Sequence, residues 1–152
     1  TWPISLRTKR FPALPGPISK AQVPMFSTTQ RSMTQPTAPR RVMLAGTLAD
    51  RRCPGRTHVI LGMLQDKDAC GTVAALQPVA DQWYLASPDA SQGLPAEQLL
   101  ACVRQLSGDV PAQCFTDVAG AMRQAFADAS AGDRIVVCGS FYTVADAMAC
   151  RV

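Results

Sequence analysis

Acidic side chains are almost missing from the first 57 residues, where Asp50 stands alone against ten Lys/Arg and eight of the chain's twelve prolines. Residues 58–152 carry ten acids and five Lys/Arg, so the formal charge is +9 on one part and −5 on the other; the net +4 describes neither. A basic, Pro-rich, acid-poor arm is the composition of a tail, a linker or a targeting peptide rather than of a packed core. Aromatic residues are few, 6 % of the chain, and they do not interleave with the basic positions, which argues against a nucleic-acid-binding arm. Long apolar runs are missing too. No stretch approaches the ~20 apolar residues of a membrane span, and every candidate for a signal peptide's apolar core is broken by proline or arginine. Residues 1–41, rich in Arg, Ser and Thr, remain compatible with a transit peptide.

Histidine occurs once, at His58, and no Cys-x-x-Cys pair is present among the six cysteines at 53, 70, 102, 114, 138 and 150. That excludes the usual zinc-ligand spacings, and no metal site is expected. The cysteines stand mostly where apolar residues belong, which predicts reduced, buried, structural thiols in a cytoplasmic protein. A phosphate-binding loop is also missing: no Gly-x-x-x-x-Gly-Lys-Ser/Thr occurs, and Gly16-Pro-Ile-Ser-Lys20 lacks the second glycine.

What the chain does have, from His58 onward, is an alternation of strand-like and helix-like runs, which predicts an α/β domain with a mostly parallel sheet flanked by helices. His58–Met63 reads as a buried strand. Asp68 then caps a helix through Leu76, which Pro78 ends. Gln82–Ala86 is a second strand, with Trp83 and Tyr84 divided between core and surface. Pro95 opens a helix whose inward stripe is Leu99, Leu100, Val103 and Leu106. A weak strand at Ala112–Phe115 leads to Asp117 as N-cap of a helix with Val118, Met122, Ala125 and Phe126 inward and Gly132 past its end. Arg134–Cys138 is the strongest strand, and the last helix carries Val144, Ala147 and Met148 inward. The arm before this pattern reads as irregular, residues 1–41, with the domain proper at 42–152 and a helix at 42–50.

In open α/β sheets ligands gather beyond the carboxyl ends of the strands. Two such loops contain chemistry: Gln65-Asp-Lys-Asp68 after the first strand and Gly139-Ser-Phe-Tyr-Thr143 after the last. Asp68 is either a cap or a site residue, and Lys67 either a solvated charge or a contact for an anion. Gly139-Ser140 is either a strand-to-helix turn or a cradle whose backbone N–H groups hold a carboxylate or phosphate. His58 is read as structural.

The stretch Leu61-Gly-Met-Leu-Gln-Asp-Lys-Asp68, then Trp83-Tyr84, then Asp133-Arg-Ile-Val-Val-Cys-Gly-Ser-Phe-Tyr-Thr-Val144 resembles the C-terminal domain of bifunctional dihydrofolate synthase/folylpolyglutamate synthase, over residues 56–150. The resemblance implies a Mur-ligase-like, Rossmann-like C-terminal domain that follows a larger ATPase domain, with the active site between the two. It implies ATP and Mg2+ as cofactors and L-glutamate with dihydropteroate or tetrahydrofolate as substrates, joined through an acyl phosphate that the amine of glutamate attacks. Carried over residue by residue, Asp66, Lys67, Asp68, Ser140, Phe141, Tyr142 and Thr143 face that cleft, with Ser140 a contact for glutamate. No residue of this chain is assigned a catalytic role, and neither nucleic acid nor membrane is an expected partner. The alternative from another class is a stand-alone Rossmann-like module that binds a small anion or a nucleotide without catalysis.

Two departures qualify the resemblance. The phosphate-binding loop is missing, so the chain reads as a C-terminal fragment, inactive alone. The family's Asp-x-Ala-His-Asn-Pro segment should lie near residues 30–40, where Arg31-Ser-Met-Thr-Gln-Pro-Thr-Ala-Pro-Arg40 stands instead. Leu14-Pro15-Gly16 resembles a family linker that continues Arg-Phe-Gln, and one extra base after the glycine codon turns those codons into codons for Pro17-Ile18-Ser19. Residues 17–41 are therefore read as out of frame and expected to be poorly ordered, with family-like sequence returning near Leu44-Ala-Gly-Thr-Leu-Ala-Asp50.

Overall fold

The structure, a computed structural model, describes the backbone of residues 5–7 and 38–150 and the side chains of residues 42–150. Expectations for residues 8–37 lie outside the described residues. The elements are β1 (Ser5–Arg7), α1 (Ala38–Asp50), β2 (Thr57–Gly62), α2 (Ala69–Leu76) with a 3-10 turn at Gln77–Val79, β3 (Gln82–Ala86), α3 (Ala96–Ser107), β4 (Ala112–Phe115), α4 (Val118–Asp128), β5 (Arg134–Gly139) and α5 (Phe141–Ala149).

The sheet order is β1-β5-β2-β3-β4. β5, β2, β3 and β4 are parallel, and β1 lies antiparallel on the outer edge of β5, with Ser5 opposite Val137 and Arg7 opposite Ile135. All six residues of β2 and all six of β5 are buried, as strands covered on both faces must be. Successive side chains then point to opposite layers. Val59, Leu61, Trp83, Leu85, Val136 and Cys138 pack under α1, α2 and α3, whose contributions include Leu44, Leu48, Val73, Leu76, Leu99 and Val103. Ile60, Tyr84, Ala86, Ile135 and Val137 pack under α4 and α5 through Val118, Ala121, Met122, Ala125, Val144 and Ala147.

The predicted α/β architecture is the observed one, with local corrections. Trp83 and Tyr84 are both buried, one in each layer, because helices cover both faces of β3. Leu106 and Met148 are 39 % and 66 % exposed rather than inward; each falls in the last turn of its helix, where packing is one-sided. On α3 the stripe is instead Ala96, Leu99, Cys102 and Val103. The helix expected at 42–50 begins at Ala38, inside the arm, because Pro39 falls in its first turn, where a missing N–H costs nothing. The arm also supplies β1: an open edge of β5 leaves a row of backbone donors and acceptors that a short extended segment satisfies.

The cysteines depart from expectation most. Cys70 of α2 and Cys102 of α3 form a disulfide, with Cα atoms 5.1 Å apart, inside the range a bridge requires. Cys53, Cys114, Cys138 and Cys150 are free.

Candidate functional site

The chain builds β2, β3 and β4 outward in one direction and then carries β5 back to the other side of β2. The helices that follow β2 and β5 consequently leave to opposite faces, α2 into one layer and α5 into the other. Loops that diverge from neighbouring parallel strands leave a crevice at the strands' carboxyl ends, and this is where open α/β sheets bind ligands. The two loops singled out in the sequence, 65–68 and 139–143, are the two that flank it.

Gly62 ends β2 opposite Gly139, which ends β5. Gly139 has φ +120°, and a Cβ there would lie 1.9 Å from the Gly62 carbonyl oxygen, so both the turn and the close approach require glycine. The Gly62 carbonyl accepts the Ser140 N–H at 2.8 Å and the Thr143 hydroxyl at 2.8 Å. With that proton committed, the Ser140 hydroxyl donates to Thr143 Oγ1, also at 2.8 Å, and its oxygen accepts the Thr143 N–H at 3.2 Å as the N-cap of α5. Ser140 and Thr143 are buried, whereas Phe141 and Tyr142 are 62 % and 49 % exposed and meet edge to face.

On the β2 side, Asp68 accepts the Gly71 N–H at 2.9 Å and caps α2, while its carbonyl takes the Thr72 hydroxyl. Lys67 pairs with Asp66 at 2.7 Å in partly exposed surroundings, an arrangement that contributes little stability and leaves the ammonium near solvent. The loop after β3, which sequence reasoning passed over, completes this wall. Gln65 N–H donates to Gln92, Leu94 N–H to Met63, and Leu64 bridges Gly93. Its signal was available: Ser87-Pro-Asp-Ala-Ser-Gln-Gly93 follows a parallel strand and so lies at the same end of the sheet. Asp89 of this loop stands near Asp146 of α5, and burial first and then the Asp89 carboxylate raise the pKa of Asp146. Among the described residues no group of three or more His, Cys, Asp or Glu is placed to hold a metal ion.

At the opposite end of the sheet lies a buried polar network with a structural role. His58 Nδ1 meets Tyr84 Oη at 3.0 Å and His58 Nε2 meets Asp133 at 3.1 Å. Tyr84 donates to Asp128, and the Asp133 carboxylate also accepts the N–H groups of Arg56 and Ser130. Arg134 donates to the carbonyls of Leu48 and Arg51 at the end of α1 and to Thr57. These contacts tie α1, β2, β3 and β5 together away from the crevice. No described helix is long and apolar enough to cross a membrane.

A family model for the Mur ligase, glutamate ligase domain matches residues 34–141. The chain is 45 % identical over 94 residues to dihydrofolate synthase/folylpolyglutamate synthase of Escherichia coli, covering 62 % of this chain and 21 % of that protein. It is 29 % identical over 100 residues to the Haemophilus influenzae protein of the same name, covering 66 % and 23 %. It thus spans about a fifth of the length of the curated relatives it matches. Among solved structures, E. coli FolC in complex with DHPP and ADP superposes with a TM-score of 0.65 at 41 % identity, over 72 % of this chain and 25 % of that one. A bifunctional folylpolyglutamate synthase/dihydrofolate synthase with Mn, AMPPNP and L-glutamate bound gives 0.63 at 38 %, with the same coverage. The sequence blocks, the strand order and the family match agree, and the chain belongs to the Mur ligase glutamate ligase domain family.

Proposed function

We propose that this domain supplies the glutamate-side wall of an ATP-dependent ligase that adds L-glutamate to dihydropteroate or tetrahydrofolate, and that it works only with an ATP-binding half held against the crevice. The observation that carries the reading is the pairing of Gly62 with Gly139, which opens α5 beside the 65–68 loop at the switch point of the sheet. The first N–H groups of α5, at Phe141 and Tyr142, have no partner within the helix and suit a carboxylate or a phosphoryl oxygen. Ser140 and Thr143 hold that turn in place, and Asp66, Lys67 and Asp68 form the facing wall. The donors fit an anionic group, whereas the chain has no Gly-x-x-x-x-Gly-Lys-Ser/Thr loop. The cradle for ATP phosphates and the ligands for Mg2+ therefore belong to the other half.

In this reading ATP supplies the phosphoryl group that activates the folyl carboxylate. The residues of this chain orient glutamate so that its amine meets that carbon, and the backbone donors offset charge on the reacting oxygens. A cytoplasmic location goes with this substrate set. Isothermal titration of L-glutamate into the chain, alone and mixed with the separately expressed N-terminal half of a family member plus MgATP, tests the proposal. Heat only in the mixture supports it; affinity of the chain alone would mark a stand-alone anion-binding module.

We also propose that residues 1–41 form an arm on the domain at 42–152, joined to it through β1 and the first turn of α1, and that the stretch expected out of frame, residues 17–41, is so only up to the start of the family match at 34. The motivation is the charge and proline break, together with the missing Asp-x-Ala-His-Asn-Pro segment. A clean gene sequence encoding these residues, shared by close relatives, would remove the frame idea.

A further inference from the structure

The disulfide between Cys70 and Cys102 lies next to the crevice and was not foreshadowed by any motif. Cys70 is the second residue of α2, two positions after Asp68, whose side chain caps that helix. Cys102 lies in the inward stripe of α3, between Leu99 and Val103, which are fully buried. The bond therefore anchors the exposed first turn of α2 to a helix fixed in the core. The ring that it closes spans 32 residues of sequence and contains β3 and the whole loop from Ser87 to Pro95. That loop bonds back to Met63, Leu64 and Gln65, and Ser87 Oγ accepts the Ala96 N–H at the start of α3. Of the two loops that make the crevice wall opposite α5, 87–95 thus lies inside the disulfide ring and 65–68 leads directly into Cys70.

We infer that Cys70 and Cys102 are a reversible thiol–disulfide pair that fixes the 65–68 wall of the crevice when oxidised and loosens it when reduced. Cys70 is exposed and Cys102 nearly buried, so exchange enters at Cys70. A thiolate of a small dithiol attacks Cys70 Sγ, the Cys70–Cys102 bond breaks, and Cys102 leaves as a thiolate that takes a proton. The second thiolate of the reagent then attacks its own sulfur in the mixed disulfide and releases Cys70, so the dithiol is oxidised by two electrons and the protein reduced by two. A low-molecular-weight disulfide such as oxidised glutathione reverses the change, yielding two equivalents of thiol. Of the free cysteines, Cys138 does not compete: it is enclosed on the sheet, where burial pushes its thiol up to about 12.

The existence of the pair is independent of the ligase reading; its position on a substrate wall rests on that reading. The test therefore uses no substrate. The full chain is equilibrated in glutathione buffers from reducing to oxidising, quenched with iodoacetamide in denaturant, and mapped by mass. Oxidising buffer should leave four alkylated cysteines and a linked Cys70–Cys102 peptide, whereas reducing buffer should leave six. The oxidised form should melt roughly 10 °C above the reduced form, as closing a ring of this length implies, and exchange the Gly71 and Thr72 amides more slowly. Cys70→Ser and Cys102→Ser should each abolish the dependence on redox buffer, and Cys53→Ser should not. Six alkylated cysteines in every buffer, a different linked pair, or equal melting and exchange in the two forms would overturn the inference.

Discussion

The Gly62 carbonyl receives the Thr143 hydroxyl at 2.8 Å across two adjacent parallel strands, so the end of β2 and the first turn of α5 are one hydrogen-bonded unit. Thr143→Val keeps the volume and removes the donor, leaving the buried Ser140 hydroxyl without its acceptor. A loss of about 1–3 kcal/mol is expected, read as a lower urea midpoint at unchanged slope. An unchanged midpoint would mean that the hydroxyl chain does not hold the turn.

Gly139→Ala is a sharper probe of the same approach. The new Cβ would overlap the Gly62 oxygen, at a φ that L residues rarely adopt. Destabilisation of about 3 kcal/mol or more should follow. Gly46→Ala, in the exposed middle of α1 with nothing within 4 Å of the added carbon, should instead raise stability by about 0.5–1 kcal/mol.

The acid limb of stability should report Asp133. Burial disfavours its charge, but the N–H groups of Ser130 and Arg56 and the His58 ring outweigh that and hold its pKa below the ordinary 3.8. A carboxyl depressed in the folded state contributes stability that is fully present above its unfolded pKa and is lost as pH falls through the folded value. Urea midpoints should therefore drop on going below about pH 4, and Asp133→Asn should flatten that limb while costing about 2 kcal/mol at neutral pH. An acid limb identical in Asp133→Asn would assign the loss to other carboxylates.

Tyr84 sets the alkaline side. Burial first, then its hydrogen bond to Asp128 and the Asp128 charge, raise its pKa above the ordinary 10. A phenol raised in the folded state contributes stability present below that ordinary value and lost as pH climbs toward the folded one. Tyr84→Phe should remove this dependence, along with about 1–3 kcal/mol at pH 7, since His58 Nδ1 loses its partner. Midpoints measured between pH 8 and 11 decide the matter.

Much of this molecule is written locally. The apolar runs of β2 and β5 and the caps Asp68, Asp117 and Ser140 are each decided by neighbours within four residues, and each appears where the pattern puts it. The crevice was legible because loops after parallel strands share one end of the sheet. What the sequence did not disclose depends on distant partners. His58 and Asp133 meet across 75 residues and Cys70 meets Cys102 across 32, and the exposure of Leu106 and Met148 depends on where their helices run out of neighbours. That Gly62 faces Gly139 follows from β5 crossing back beside β2, which no single run of residues specifies.

The role proposed for this domain is that of one wall of a glutamate ligase that acts only with an ATP-binding half. It is tested most directly by phosphate release from MgATP in a mixture of this chain with the separately expressed N-terminal half of a family member, dihydropteroate and L-glutamate. Release that needs both substrates and both polypeptides, and is lost when either is left out, is the predicted result. Full release without this chain, or none with it while the two halves are shown to associate, would contradict the account.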